Sequence, residues 1–93
     1  MKKIKDTGLI ASLYSHGFEA TKRVVENKVV FYLFEDSELL SGTITLYNVG
    51  QLQVNARTNN GWYKAIIKDI KQLLAEDEKN NTAKPIANKE TAK

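Results

Sequence analysis

The stretch Gly17–Leu40, GFEATKRVVENKVVFYLFEDSELL, constrains the fold of this chain more than any other. It holds a helix end, a β-hairpin and a new helix start in quick succession. Gly17 suits the left-handed position that closes a helix. Glu26-Asn27 separates two strand-like runs, and Asn tolerates the positive φ that tight hairpin turns demand. Glu35-Asp36-Ser37 then offers acceptors to the free amides of a following helix. These are instructions for a fold, and they contain no chemistry.

The rest of the chain extends the pattern. Residues 1–5 form a short arm, and Asp6 or Thr7 caps a first helix over about 8–16, with Leu9, Ile10, Leu13 and Tyr14 at helical spacing. The hairpin pairs Ala20–Val25 with Lys28–Phe34. In its second strand Val29, Phe31 and Leu33 share one face and Val30, Tyr32 and Phe34 the other. Both faces are apolar, which predicts a central strand covered on each side. Leu39, Leu40, Ile44 and Tyr47 suit a helix stripe, whereas Gly42-Thr43-Ile44-Thr45 is better strand material. A short helix to about Tyr47 is preferred, because Asp36 caps it and Asn48 and Gly50 end it. Gln51–Val54 is expected to add a third, short strand. A last helix runs from about Asn55 or Asn60 to Ala75, with Trp62, Tyr63, Ile66, Ile67, Ile70, Leu73 and Leu74 on one side. Asn59-Asn60-Gly61 reads as a turn-like interruption of it. Residues 76–93 lack apolar periodicity and read as a disordered basic tail. The expectation is a single α+β domain over residues 6–75, ordered helix, hairpin, helix, strand, helix, with a three-stranded sheet covered by helices.

At 93 residues the chain accommodates one small core and no deep cleft. With no Cys, disulfides, thiolate metal sites and cysteine nucleophiles are excluded. The start is basic but lacks the apolar run of a signal peptide, and no apolar stretch is long enough to span a bilayer, so a cytoplasmic location is expected. The net charge of +3 falls entirely in residues 79–93, while residues 1–78 balance. Only a local patch can therefore argue for nucleic acid.

Lys5-Asp6-Thr7, Gly17-Phe18-Glu19, the aromatic strand ending Phe34-Glu35-Asp36, and Val54-Asn55-Ala56-Arg57 sit as landmarks on this order of elements. Together they resemble a family of small proteins of bacterial phages, prophages and mobile elements, known only as a domain of unknown function. The resemblance covers about residues 4–75 and departs from the family pattern around Thr58–Gly61, where relatives more often have a continuous helix. It implies an accessory protein of a mobile element, near replication functions, in the cytoplasm of a bacterial host. It carries over no catalytic residue.

The residues offer little chemistry. His16 precedes the helix-closing Gly17 and reads as a capping or surface histidine. Glu35, Asp36 and Glu38 read as helix-start residues rather than a cation site. Ser12, Ser15, Ser37 and Ser41 lack a nucleophile motif, and adjacent Ser15 and His16 point in different directions on a helix. Gly50 and Gly61 stand alone, so no phosphate-cradling loop is present. The reading is a non-enzyme with no cofactor and no metal.

One surface stands out. Lys64, Lys68 and Lys71 project from one side of the last helix, opposite Trp62, Ile66, Ile70 and Leu73, and Arg57 joins them if the helix is unbroken. The bland reading is solvated lysines on the outside of a core helix. The functional reading is phosphate contact with DNA, with Lys2, Lys3 and Lys5 as a second basic arm. Tyr32 and Phe34 would supply a stacking platform if their sheet face were open. The alternative is a protein-interaction module, an adaptor or inhibitor of a host or phage protein, with a homodimer through an edge strand as one form.

Overall fold

Each helix begins where a side-chain acceptor meets the first free amides. In the computed structural model, which describes residues 1–86 with side chains through Lys79, Asp6 Oδ1 accepts from the Leu9 amide at 3.2 Å and starts α1, Thr7–Ser15. Ser37 Oγ accepts from Leu40 at 3.0 Å and starts α2, Glu38–Asn48. Asn55 Oδ1 accepts from Thr58 at 3.0 Å ahead of α3, Ala56–Ile86. The cap of α2 is thus Ser37, not Asp36, which instead pairs with the N-terminal amine at 3.2 Å.

Two glycines close helices in the same way. Gly17 (φ 90) follows α1, where its amide bonds Tyr14 O and the Phe18 amide bonds Leu13 O. Gly50 (φ 73) follows α2, with Gly50 to Tyr47 and Gln51 to Leu46. Both are Schellman motifs, in which a left-handed residue turns the chain back onto the last carbonyls. Gly42-Thr43-Ile44-Thr45 is helical despite its strand-like composition. Leu40 and Thr43 are buried against the body, and the Thr43 and Thr45 hydroxyls bond the carbonyls of Leu39 and Ser41. Burial overrides propensity here.

The hairpin consists of β2, Lys22–Glu26, and β3, Val29–Phe34. Asn27 and Lys28 at the turn both have positive φ (50 and 65), the type I′ geometry that matches strand twist. The third strand lies elsewhere than expected. It is β1, Lys2–Ile4, within the supposed arm, and it pairs antiparallel with β3 through Lys2–Phe34, Lys3–Leu33 and Ile4–Tyr32. The order is β1-β3-β2, so β3 is central and β1 and β2 are the edges. Residues 51–55 form no strand. The Gln51 and Leu52 amides are taken by Leu46 O, and the His16 ring bonds the Gln53 carbonyl at 2.7 Å, which holds this segment as a connection.

Three helices and an antiparallel three-stranded sheet make a small α+β domain. Val30, Tyr32 and Phe34 pack into one core with Ile4, Leu9, Ile10, Leu13, Leu40 and Ile66. Tyr14 meets Tyr32 and Phe34 edge-on, at centroid distances of 6.3 and 6.0 Å. The other sheet face is not covered by helices. Phe31 and Leu33 there are half-buried, and the Lys3 ammonium lies 4.8 Å from the Phe31 ring centre.

α3 is continuous through Asn59-Asn60-Gly61. Ser15 Oγ donates to Asn59 Oδ1 at 3.1 Å, and α3 lies along α1, so tertiary contact carries the helix across a locally poor sequence. It also passes Ala75 and continues to Ile86. Residues 76–86, expected to belong to a disordered tail, are part of this helix, and charged Glu76–Lys79 prolong a helix already nucleated by packing. Residues 87–93 lie outside the described residues.

Candidate nucleic-acid interface

Because α3 does not break, Arg57 shares the side of Lys64, Lys68 and Lys71. At about 100° per residue the four fall within an arc of roughly 60°. All four are exposed. Among the described residues none of them forms an ion pair. Ile66 on the opposite side of α3 is buried at 4% exposure, and Ile70, Leu73 and Leu74 pack beside it. The basic stripe is thus the outward face of a helix anchored by its inward one.

The arm lysines are placed differently from expectation. β1 puts Lys2 and Lys3 in the sheet, and Lys3 Nζ bonds Glu26 Oε1 at 2.8 Å, so no free basic arm exists there. The proposed stacking platform is also absent, since Tyr32 and Phe34 are buried at 3% and 1% exposure. They face the helices, and the half-open face belongs to Phe31.

The aromatic surface lies instead in an open cleft of roughly 650 Å³ between β2 and α3. One wall is the start of β2, including Lys22 and Arg23, and the other is α3 from Trp62 to Leu73. Trp62 is 38% exposed, and its ring stacks obliquely on Tyr14 at 4.9 Å between centroids. The Tyr14 hydroxyl accepts from the Ala20 amide at 3.1 Å and ties the entry of β2 to α1.

A polar latch crosses this cleft. Asp69 accepts a hydrogen bond from the Tyr32 hydroxyl on one carboxylate oxygen and from the Arg23 guanidinium on the other. Arg23 and Tyr32 are directly opposed on β2 and β3, which puts both side chains on the helix side. Partial burial alone would raise the Asp69 pKa, but the hydrogen bonds from Arg23 and Tyr32 outweigh it and hold the carboxylate below its ordinary value. Burial pushes the Tyr32 phenol up, and its bond to Asp69 pushes it further. The bond to Asp69 likewise raises the Arg23 pKa. The latch is charged and closed at neutral pH.

Of this cleft, the sequence points to Tyr14, Tyr32, Trp62, Ile66 and Leu73, each as a helix, sheet or stripe position and none as part of a cleft. Asp69 is the lone acid between Ala56 and Ala75, and it sits off the lysine stripe. That acid, with Arg23 and Tyr32 on one face of a hairpin, was the available signal. Elsewhere, Ser15 bonds Asn59 rather than His16. Among the described residues no group of three His, Asp or Glu side chains is placed to hold a metal ion. No described helix is long and apolar enough to cross a membrane. Comparison with known proteins finds no matching family model, no significant match among curated proteins and none among solved structures.

Proposed function

We propose that this protein is a non-enzymatic accessory module of a phage or mobile element that contacts the DNA backbone in the cytoplasm of a bacterial host. The observation that carries the reading is the stripe of Arg57, Lys64, Lys68 and Lys71, four exposed cations gathered on one continuous helix of a body whose charges balance as a whole. Unpaired lysines and an arginine at this spacing match phosphates and read no bases. The family resemblance supplies the biological setting.

The test is fluorescence anisotropy with labelled DNA over a range of salt. Four phosphate contacts give a log–log salt slope of about −3 to −4, or a loss of roughly 50- to 150-fold in affinity between about 50 and 200 mM salt. Replacing Lys64, Lys68 and Lys71 with Glu abolishes binding and leaves the far-UV circular dichroism spectrum unchanged. Binding retained in the triple variant refutes the ridge as the site.

A second reading, a protein-interaction module, is favoured by a different surface. Leu39 and Leu46, one above the other by helical spacing on α2, are 73% and 43% exposed, and Val49, which caps α2, is 60% exposed. Such a stripe suits a partner's apolar groove or a second copy of the chain. Self-association that concentrates with the protein in sedimentation equilibrium, and that is lost in Leu39→Glu, is the result this reading requires.

A further inference from the structure

The cleft between β2 and α3 lies beside the cationic stripe on the same helix. On a helical wheel Ala65 and Asp69 line the cleft at about 60° and 100° from Lys68, so the stripe forms the outer rim of its α3 wall. Lys22, opposite Leu33 on β3, lies at the β2 rim but on the sheet face away from the helices. An aromatic floor of Trp62 and Tyr14 is therefore bordered by positive charge along its α3 rim. The one acid in it, Asp69, is already neutralised by Arg23.

We propose that this cleft takes a single strand of DNA, with one base stacked on Trp62 and the flanking phosphates on Lys64 and Lys68. The inference rests on the backbone-binding reading above and names the strand form that the site prefers. A base needs an exposed ring face, which Trp62 provides at 38% exposure while Tyr32 and Phe34 are sealed in the core. A duplex keeps its bases stacked inside and can use only the ridge, whereas a single strand can use ridge and ring together. Charge complementarity decides the occupant. An extended peptide added to the β2 edge would satisfy main-chain groups but would leave the lysines on the α3 rim without a role.

Trp62 is the only tryptophan in the chain, so its fluorescence reports the cleft alone. Titration with an oligothymidylate of about ten residues is expected to quench it, with the midpoint given by anisotropy for the same oligomer. Trp62→Ala weakens oligothymidylate binding by about tenfold or more, the range found for loss of one stacked base, and leaves duplex binding within twofold. Trp62→Phe keeps a ring, guards against misfolding of the alanine variant, and retains most of the affinity. Salt-sensitive binding of the oligomer without any change in Trp62 emission overturns the cleft and leaves the ridge standing. Failure of the triple Lys→Glu variant to lose binding overturns the ridge itself. Quenching by an extended valine-rich peptide but not by oligothymidylate makes the cleft a strand-addition site for a protein, and also overturns the proposal.

Discussion

Asp69→Ala tests whether the latch across the cleft holds the last helix to the hairpin. The Tyr32 ring is 97% shielded and its hydroxyl bonds a carboxylate, an interaction of the charged-acceptor class worth about 1.5–3 kcal/mol. The Arg23 pair adds little, because its side chains are 43% and 29% exposed and pairs of that kind contribute at most about 1 kcal/mol. The expected loss for Asp69→Ala is therefore about 2–3 kcal/mol. Tyr32→Phe should lose less, about 1–2 kcal/mol, because Asp69 keeps Arg23 and some contact with water. Combining the two should cost about as much as Asp69→Ala alone, since removing the stranded hydroxyl offsets the loss of the ring's anchor. Urea unfolding followed by circular dichroism measures all four corners of this cycle. At about 4–8 °C per kcal/mol for a domain of this size, Asp69→Ala lowers Tm by roughly 10–20 °C. Additive losses, or an Asp69→Ala variant within about 0.5 kcal/mol of the parent, would refute the reasoning.

The same latch makes stability depend on pH. Because the Asp69 pKa is depressed on folding, its contribution is present above the unfolded value near pH 4 and is lost as pH falls through the folded one. The stability gap between the parent and Asp69→Asn should therefore narrow in acid. Tyr32 is raised on folding, so stability declines as pH rises above about 10, and Tyr32→Phe should remove that alkaline decline. Among the glycines, Gly42 and Gly61 lie within helices, and a methyl group there meets nothing within 4 Å. Each change to Ala should add about 0.5–1 kcal/mol in thermal unfolding. Gly8→Ala should yield no such gain, since its Cβ would lie 2.7 Å from the Tyr47 hydroxyl, and Tyr47→Phe should restore the gain.

What could be read from the sequence was what local chemistry decides. Gly17, Gly50 and Asn27 take up left-handed conformations, Asp6 and Asn55 cap, and the hairpin has the expected faces. The errors share a different cause. Lys2-Lys3-Ile4 carries no strand signal of its own and is a strand only because β3 offers an unpaired edge. Leu52 and Val54 alternate like a strand, but the Leu46 carbonyl and the His16 ring hold their segment as a connection. Asn59-Asn60-Gly61 looks like a break, yet Asn59 itself is bonded to Ser15 of α1. For the candidate site, the spacing of Arg57, Lys64, Lys68 and Lys71 was legible because a helix has one period. The Arg23–Asp69–Tyr32 latch joins three separate elements, so it becomes visible only once the hairpin and α3 are brought together.

The position of β1 bears on how the chain survives its own synthesis. The strand made first pairs with one completed about thirty residues later, so Lys2–Ile4 must wait while the hairpin and α1 assemble. Until it docks, β3 presents the outward main-chain groups of Tyr32 and Phe34, in the most apolar strand of the protein, as an open template for other chains. Two of the three waiting residues are lysines, a composition that resists premature pairing with copies of itself. Trimming the first four residues would leave most of the core intact and convert its central strand into an aggregation-prone edge.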